Sequence, residues 1–161
     1  TGTIYRHFES REDLFAEIFR LATQREVDKV AEALAITGNA VQRLDHALRQ
    51  FAQRALKGPM KAWALIAEPV DPKVEEERLA YRRAYANLFE QAIREGIAEG
   101  TIPEQNTRLA ATCLVGAISE ALVGPLSPTQ TSELPDNDNN DNELVDTIVC
   151  FCLRGLTGTR S

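Results

Sequence analysis

Residues 1–15 read Thr1-Gly2-Thr3-Ile4-Tyr5-Arg6-His7-Phe8-Glu9-Ser10-Arg11-Glu12-Asp13-Leu14-Phe15. The run has the form of the end of one helix, a tight turn and the start of another. Ser10 precedes Asp13 by the spacing at which a serine hydroxyl accepts from the first free amides of a helix. Thr3, Tyr5, Arg6, His7 and Arg11 can all donate hydrogen bonds to phosphate or base edges, whereas Ile4, Phe8, Leu14 and Phe15 are apolar enough to anchor the segment to a core. From the residues alone two readings stand: a helix-turn-helix that touches nucleic acid, or a polar turn that only joins two helices.

Beyond the run, helix punctuation recurs and strand signals are nearly absent, so the chain is expected to be all-α. Leu14, Ile18, Leu21, Val27, Val30 and Leu34 continue one long helix to about Ala35, which Thr37-Gly38 breaks. Asn39 with Gln42 starts the next, striped by Val41, Leu44, Leu48, Phe51 and Ala55 and stopped at Gly58-Pro59. A short helix from about Met60 to Ala67 follows. Asp71-Pro72 is a strong start, and its helix should reach Glu99 with a face of Tyr81, Tyr85, Leu88, Phe89, Ala92 and Ile93 before Gly100 supplies a left-handed stop. Asn106 caps a helix expected to end at Gly124-Pro125. That helix is apolar almost all round (Leu109, Cys113, Leu114, Val115, Ala117, Ile118, Ala121, Leu122), so it must be covered on two sides. Residues 127–142, with Pro128, Pro135 and the Asp136–Asn142 polar run, are expected to be a mobile linker. A closing helix capped by Asn140 with Glu143 should carry Leu144, Ile148, Phe151, Cys152 and Leu156 and end at Gly155 or Gly158.

A length of 161 residues suits one main body, and 26% charged with 43% hydrophobic residues is the balance of an ordinary globular protein. No apolar run is expected to be long enough to span a membrane, and the N-terminus is not signal-like. Cys113, Cys150 and Cys152 are an odd set without metal-site spacing, which fits a reducing cytoplasm. The net charge of -6 argues against a surface that coats nucleic acid generally. No metal or cofactor site is expected: the Asp136–Glu143 run lacks the glycine and spacing of a calcium loop. With only His7 and His46, no Gly-rich phosphate loop and no nucleophile motif, no enzyme is expected either.

Residues 1–15 resemble the recognition helix and following turn of the TetR-type family of transcriptional regulators, in which Gly-Thr-Leu/Ile-Tyr-x-His-Phe leads into Ser-Lys/Arg-Glu-x-Leu. The resemblance implies an all-α fold: a helix-turn-helix remnant and connecting helix over 1–35, then a ligand-binding and dimerisation body over 36–161. Two helices precede the recognition helix in that family, so the N-terminal part of the DNA-binding head is expected to be missing here. By resemblance, Thr3 would sit near bases, Tyr5, His7 and Arg11 near phosphates, and Arg6 near either. The implied function is a ligand-responsive repressor, released from operator DNA by a small-molecule effector and acting as a homodimer away from any membrane. The alternative is an all-helical small-molecule or protein-binding module without DNA binding in this form.

Phe51, Met60, Trp63, Tyr81, Tyr85 and Phe89 come from three successive predicted helices. They could line an apolar pocket with hydroxyl and indole donors, or simply pack as core. Gly116, Ala117 and Ala121 keep the apolar helix slim enough for another helix to approach closely. The resemblance implies that this helix and the closing one, through Leu144, Ile148 and Phe151, pair with their copies in a four-helix bundle.

Overall fold

The computed structural model describes residues 8–129 and 138–158, so Thr3, Tyr5, Arg6 and His7 lie outside the described residues. Those described form six helices and no strand: α1 (Arg11–Leu34), α2 (Ala40–Lys57), α3 (Pro59–Ile66), α4 (Pro72–Glu99), α5 (Thr107–Leu126) and α6 (Asp138–Thr157). The Ser10 hydroxyl accepts from the Asp13 amide at 3.1 Å. Asn39 and Gln42 each accept from the other's backbone amide at 2.9 Å, a reciprocal cap for α2. Asp71 takes the Lys73 and Val74 amides at 3.0 and 3.2 Å, with Pro72 in the first turn of α4. Gly100, at φ +80, ends α4 in the left-handed region that a side chain would strain.

α2 is the axle of the body. Its Leu44, Ala47, Leu48 and Ala52 are fully buried, and α1, α3, α4, α5 and α6 all pack against it. α1 lies mainly along α4, which in turn lies along α5. The far end of α4 comes very close to the start of α2: a Cβ on Gly96 would stand 2.4 Å from Ile102 Cδ1 and 3.0 Å from Ala40 Cβ. The Glu99 carboxylate there accepts from the Ala40 amide at 2.9 Å.

Three expectations are corrected. α5 does not stop at Gly124-Pro125 but runs through Pro125 to Leu126. A proline in the last turn forfeits only one backbone bond, and Leu122 and Leu126 are buried on the same face, which holds the turn. The expected 127–142 linker gives 138–142 to α6, where Asp141 lies in the first turn and suits the positive end of the helix dipole. The buried stripe of α6 is Val145, Ile148, Val149, Cys152 and Leu156, and Phe151 is 70% exposed. Val145, Val149, Cys152 and Leu156 recur at helical spacing, which turns Phe151 outward. Finally, α5 is by length and composition apolar enough to cross a membrane. One face of it (Ala111, Leu114, Val115, Ile118, Leu122) is buried against this chain, and the other (Leu109, Cys113, Gly116, Ala121) is open.

Candidate functional site

A cleft of about 310 Å³ opens between α1, α2, α3 and α4. Phe51, Ala55, Ala62, Leu65, Ile66 and Tyr81 give it an apolar wall, while Glu26, Arg54, Lys57 and Lys61 bring charge to it. Glu26 of α1 is the anion among these, and it bridges two other helices. Arg54 Nε donates to Glu26 Oε2 at 3.2 Å, Arg54 Nη2 reaches both oxygens at 3.0 and 3.2 Å, and Lys61 Nζ donates to Oε1 at 2.8 Å. Burial pushes the Glu26 carboxyl up, but the hydrogen bonds from Arg54 and Lys61 prevail and hold it below its ordinary value. The same contact raises the Arg54 guanidinium.

Behind the apolar wall lies an aromatic stack. Tyr85 meets Phe51 edge-on at 5.2 Å, Tyr81 at 4.4 Å and Phe89 at 6.3 Å between centroids. The Tyr81 and Tyr85 hydroxyls share a hydrogen bond of 2.5 Å. Burial raises both phenols above their ordinary value, so they stay neutral donors and acceptors.

α3, which floors the cleft with Leu65 and Ile66, is held by a residue the sequence reading missed. Arg78 of α4 is 5% exposed. Its Nε donates to the Leu65 carbonyl at 3.0 Å, its Nη2 to the Ala64 and Glu68 carbonyls at 3.1 and 2.7 Å, and its Nη1 to Glu75 at 2.7 Å. Arg82 adds a bond to the Ile66 carbonyl at 3.3 Å. Two guanidinium groups thus cap the C-terminal carbonyls of a helix of eight residues, where a cation also suits the dipole. The signal was available: Arg78 continues the buried stripe Val74, Tyr81, Tyr85, Phe89 at helical spacing, and an arginine on such a stripe needs acceptors.

Of the proposed pocket residues, Phe51 and Tyr81 line the cleft, Tyr85 and Phe89 support them from the core, and Trp63 is half-buried against the core. Met60 is corrected: it is 87% exposed and outside the lining, because it lies about 200° round the helix from buried Ala62 at 100° per residue. A second groove of about 360 Å³ adjoins, lined by Phe15, Ile18, Phe19, Ala22, Val70 and Val74 and sharing Lys61 and Leu65 with the cleft. Arg11 is exposed at the start of α1, its guanidinium 5.2 Å from the Phe15 ring centroid. On the outer face of α5 and α6, Gly116, Ala121 and Phe151 are exposed and Ala117 and Leu144 half-buried. Ile148 is corrected: at 6% exposure it faces this chain's own core and has little surface left for a partner.

The family model described as "Tetracyclin repressor-like, C-terminal domain" matches residues 37–123. The chain belongs to the TetR family of transcriptional regulators. The matched span takes in α2, α3, α4 and most of α5, hence every helix of the cleft except α1. Solved TetR-like structures share the fold at low identity. The fatty acid degradation regulator FadR from Bacillus halodurans superposes with a TM-score of 0.75 at 21% identity, over 96% of this chain and 81% of that one. FadR from Bacillus subtilis in complex with stearoyl-CoA gives 0.70 at 19% identity, over 92% and 80%. A TetR/AcrR regulator from Thermobifida fusca gives 0.66 at 21% identity, over 99% and 80%. No curated protein sequence matches. The all-α, TetR-like expectation therefore agrees with both the fold and the family.

Proposed function

We propose that this TetR-family chain is the effector-sensing and dimerising body of a repressor that leaves its operator when a small molecule enters the cleft. The observation that carries the reading is that α1 is at once a wall of the cleft, through Glu26, and the helix that begins at Arg11, where the Thr3–Arg11 run of the sequence ends. α1 has 24 residues, hence a length of about 36 Å, so a tilt of about 5° about one end moves the other by about 3 Å. Such a shift would change the separation of two recognition helices in a dimer, which is what half-site spacing reads. Release requires the effector to bind the non-DNA state more tightly, by about 1.4 kcal/mol for each tenfold loss of operator affinity.

An effector with an apolar chain and an anionic end suits an apolar wall beside Arg54, Lys57 and Lys61. The stearoyl-CoA held by the Bacillus subtilis relative has that chemistry. The body spans 36–161, the head and connecting helix 1–35, and the outer face of α5 and α6 is the dimer face. There Cys113 and Cys150 stand exposed, as suits free thiols in a reducing cytoplasm.

Titration of the intact regulator against the promoter DNA upstream of its own coding sequence tests the reading. Sequence-specific binding that palmitoyl-CoA reverses is expected. A folded dimer that binds no such DNA at low salt refutes it. Tyr5→Phe and His7→Ala should weaken binding across all sequences, since phosphate contacts carry no base preference.

A further inference from the structure

We propose that Glu26 is a built-in occupant of the effector's anion site, and that an entering carboxylate or phosphate takes its place on Arg54 and Lys61 and so frees α1. The inference rests on the cleft being the effector site. Among the described lining residues there are three cations, Arg54, Lys57 and Lys61, and one acid, Glu26, in a chain whose net charge is -6. Positive charge is therefore concentrated where the chain as a whole is negative, and the one carboxylate inside it already occupies two of the three cations.

The geometry makes this a competition. The Glu26 side chain is 14% exposed, whereas Lys61 is 53% and Arg54 40% exposed, so the cations are freer to turn to a ligand than Glu26 is to follow them. An anion seated on Arg54 and Lys61 would stand beside an ionised Glu26 and be repelled by it, and each hydrogen bond it takes from these cations is one that Glu26 gives up. The Glu26 bonds to Arg54 and Lys61 are the ion pairs that tie α1 to α2 and α3 among the described residues. Breaking them leaves the half of α1 that carries Phe15, Ile18 and Leu21 at 44%, 54% and 48% exposure attached mainly to α4. A neutral amphiphile of the same shape could fill the apolar wall without touching this lock.

The test uses the 161-residue chain and three probes, palmitate, palmitoyl-CoA and hexadecanol, read by the fluorescence of Trp63 and by hydrogen exchange of α1 amides 22–30. Glu26→Gln should bind palmitate and palmitoyl-CoA about tenfold more tightly, the range of one lost charge-assisted competitor, while hexadecanol binds wild type and variant alike. A gain for palmitoyl-CoA alone assigns the site to the phosphates, and a gain for both assigns it to any anion. Exchange in α1 should rise when palmitate binds wild type and be raised already in Glu26→Gln. Lys61→Gln, at an exposed position, should weaken the anions about tenfold and leave hexadecanol unchanged. If wild type binds the anions but Glu26→Gln binds them no better, or α1 exchange slows on binding, the displacement is refuted and the effector reading stands. If neither wild type nor Glu26→Gln binds either anion, both fall.

Discussion

Arg78 supplies the sharpest test of how the cleft is built. Its guanidinium is buried and reaches three carbonyls at the end of α3 and the Glu75 carboxylate, so Arg78→Leu removes four hydrogen bonds and leaves three acceptors beneath an apolar side chain. Hydrogen bonds to a charged group net about 1.5–3 kcal/mol each but do not add in full. Removing one partner from a buried charged network costs about 3–5 kcal/mol, which we take as the expected loss. For a chain of this size each kcal/mol lowers Tm by about 2–4 °C, so a fall of about 10 °C is expected. Arg78→Lys keeps the charge but not the planar fork, and should lose about half as much. Urea titration gives the free energy, and hydrogen exchange of residues 60–67 shows where it is lost. Because Leu65 and Ile66 line the cleft, α3 should open before the rest of the body, and palmitate binding should fail at urea concentrations where α2 is still protected. A loss under about 1 kcal/mol, or unchanged protection of α3, would refute the claim that Arg78 holds this helix.

Other outcomes follow from the same contacts. Gly96→Ala should cost about 1–3 kcal/mol in urea titration, because its Cβ would press on Ile102 and Ala40 where α4 meets α2; no loss would mean that Ile102 simply turns aside. Phe151→Glu places a charge on the open face of α6, and sedimentation should change from dimer to monomer at micromolar concentration, whereas an unchanged dimer would place the interface elsewhere. Glu26 is held below its ordinary carboxyl value by Arg54 and Lys61 against burial, and Glu95 by Arg43. A depressed carboxyl stabilises the fold fully above its unfolded value and less as pH falls through the folded one. Tm should therefore drop as pH is lowered from about 5 to 3, with a shallower slope in Glu26→Gln; equal slopes would remove Glu26 from the account.

What the sequence displayed and what it concealed divide along a physical line. Helix ends are local, so Ser10, Asn39, Asp71, Gly100 and Asn106 all cap where their side chains or backbone freedom predict. The stripe of α4 is also local: Tyr81, Tyr85, Phe89, Ala92 and Ile93 are buried, and Leu88 of the same predicted face is half-buried. The direction of a helix that is apolar on both sides is not local: Ile148 and Phe151 read alike along the chain, and only packing on α2 and α5 turns one in and the other out. Charges were hardest. Glu26 looks like an ordinary surface residue of a long helix, and Arg78, although it falls on the buried stripe of α4, does not show in the sequence which acceptors it will meet: partners arrive from 28 and 35 residues away for Glu26 and from 10 to 14 residues away for Arg78. A charge reveals its task only when folding shows what it faces.

The two ends of α1 are held unequally, and this decides how a small event at Glu26 is passed on. At one end Val30, Ala33 and Leu34 are buried, and Arg43 of α2 grips the Leu34 carbonyl at 3.2 Å while its other nitrogen binds Glu95 at 2.7 Å. At the other, the Asp13 pair with Lys73 is surface-borne and Phe15 and Ile18 are half open. The softest motion is a swing about the Leu34 end. Glu26 lies about 12 Å from that pivot and Arg11 about 35 Å, so a 1 Å shift at Glu26 becomes about 3 Å at Arg11. Arg43→Gln loosens the pivot without touching the cleft lining. Palmitate should bind it as it binds wild type, yet the displacement at the head end should shrink because the helix slides instead of turning. Spin labels at Glu12→Cys in both protomers, with the three native cysteines replaced, would report this by electron resonance. Wild type should show a change of several ångströms on saturation, of order twice the shift of one arm, and Arg43→Gln a smaller one. An equal change in both would mean that Arg43 is not the fulcrum; no change in wild type at full palmitate occupancy would mean that α1 does not carry the signal.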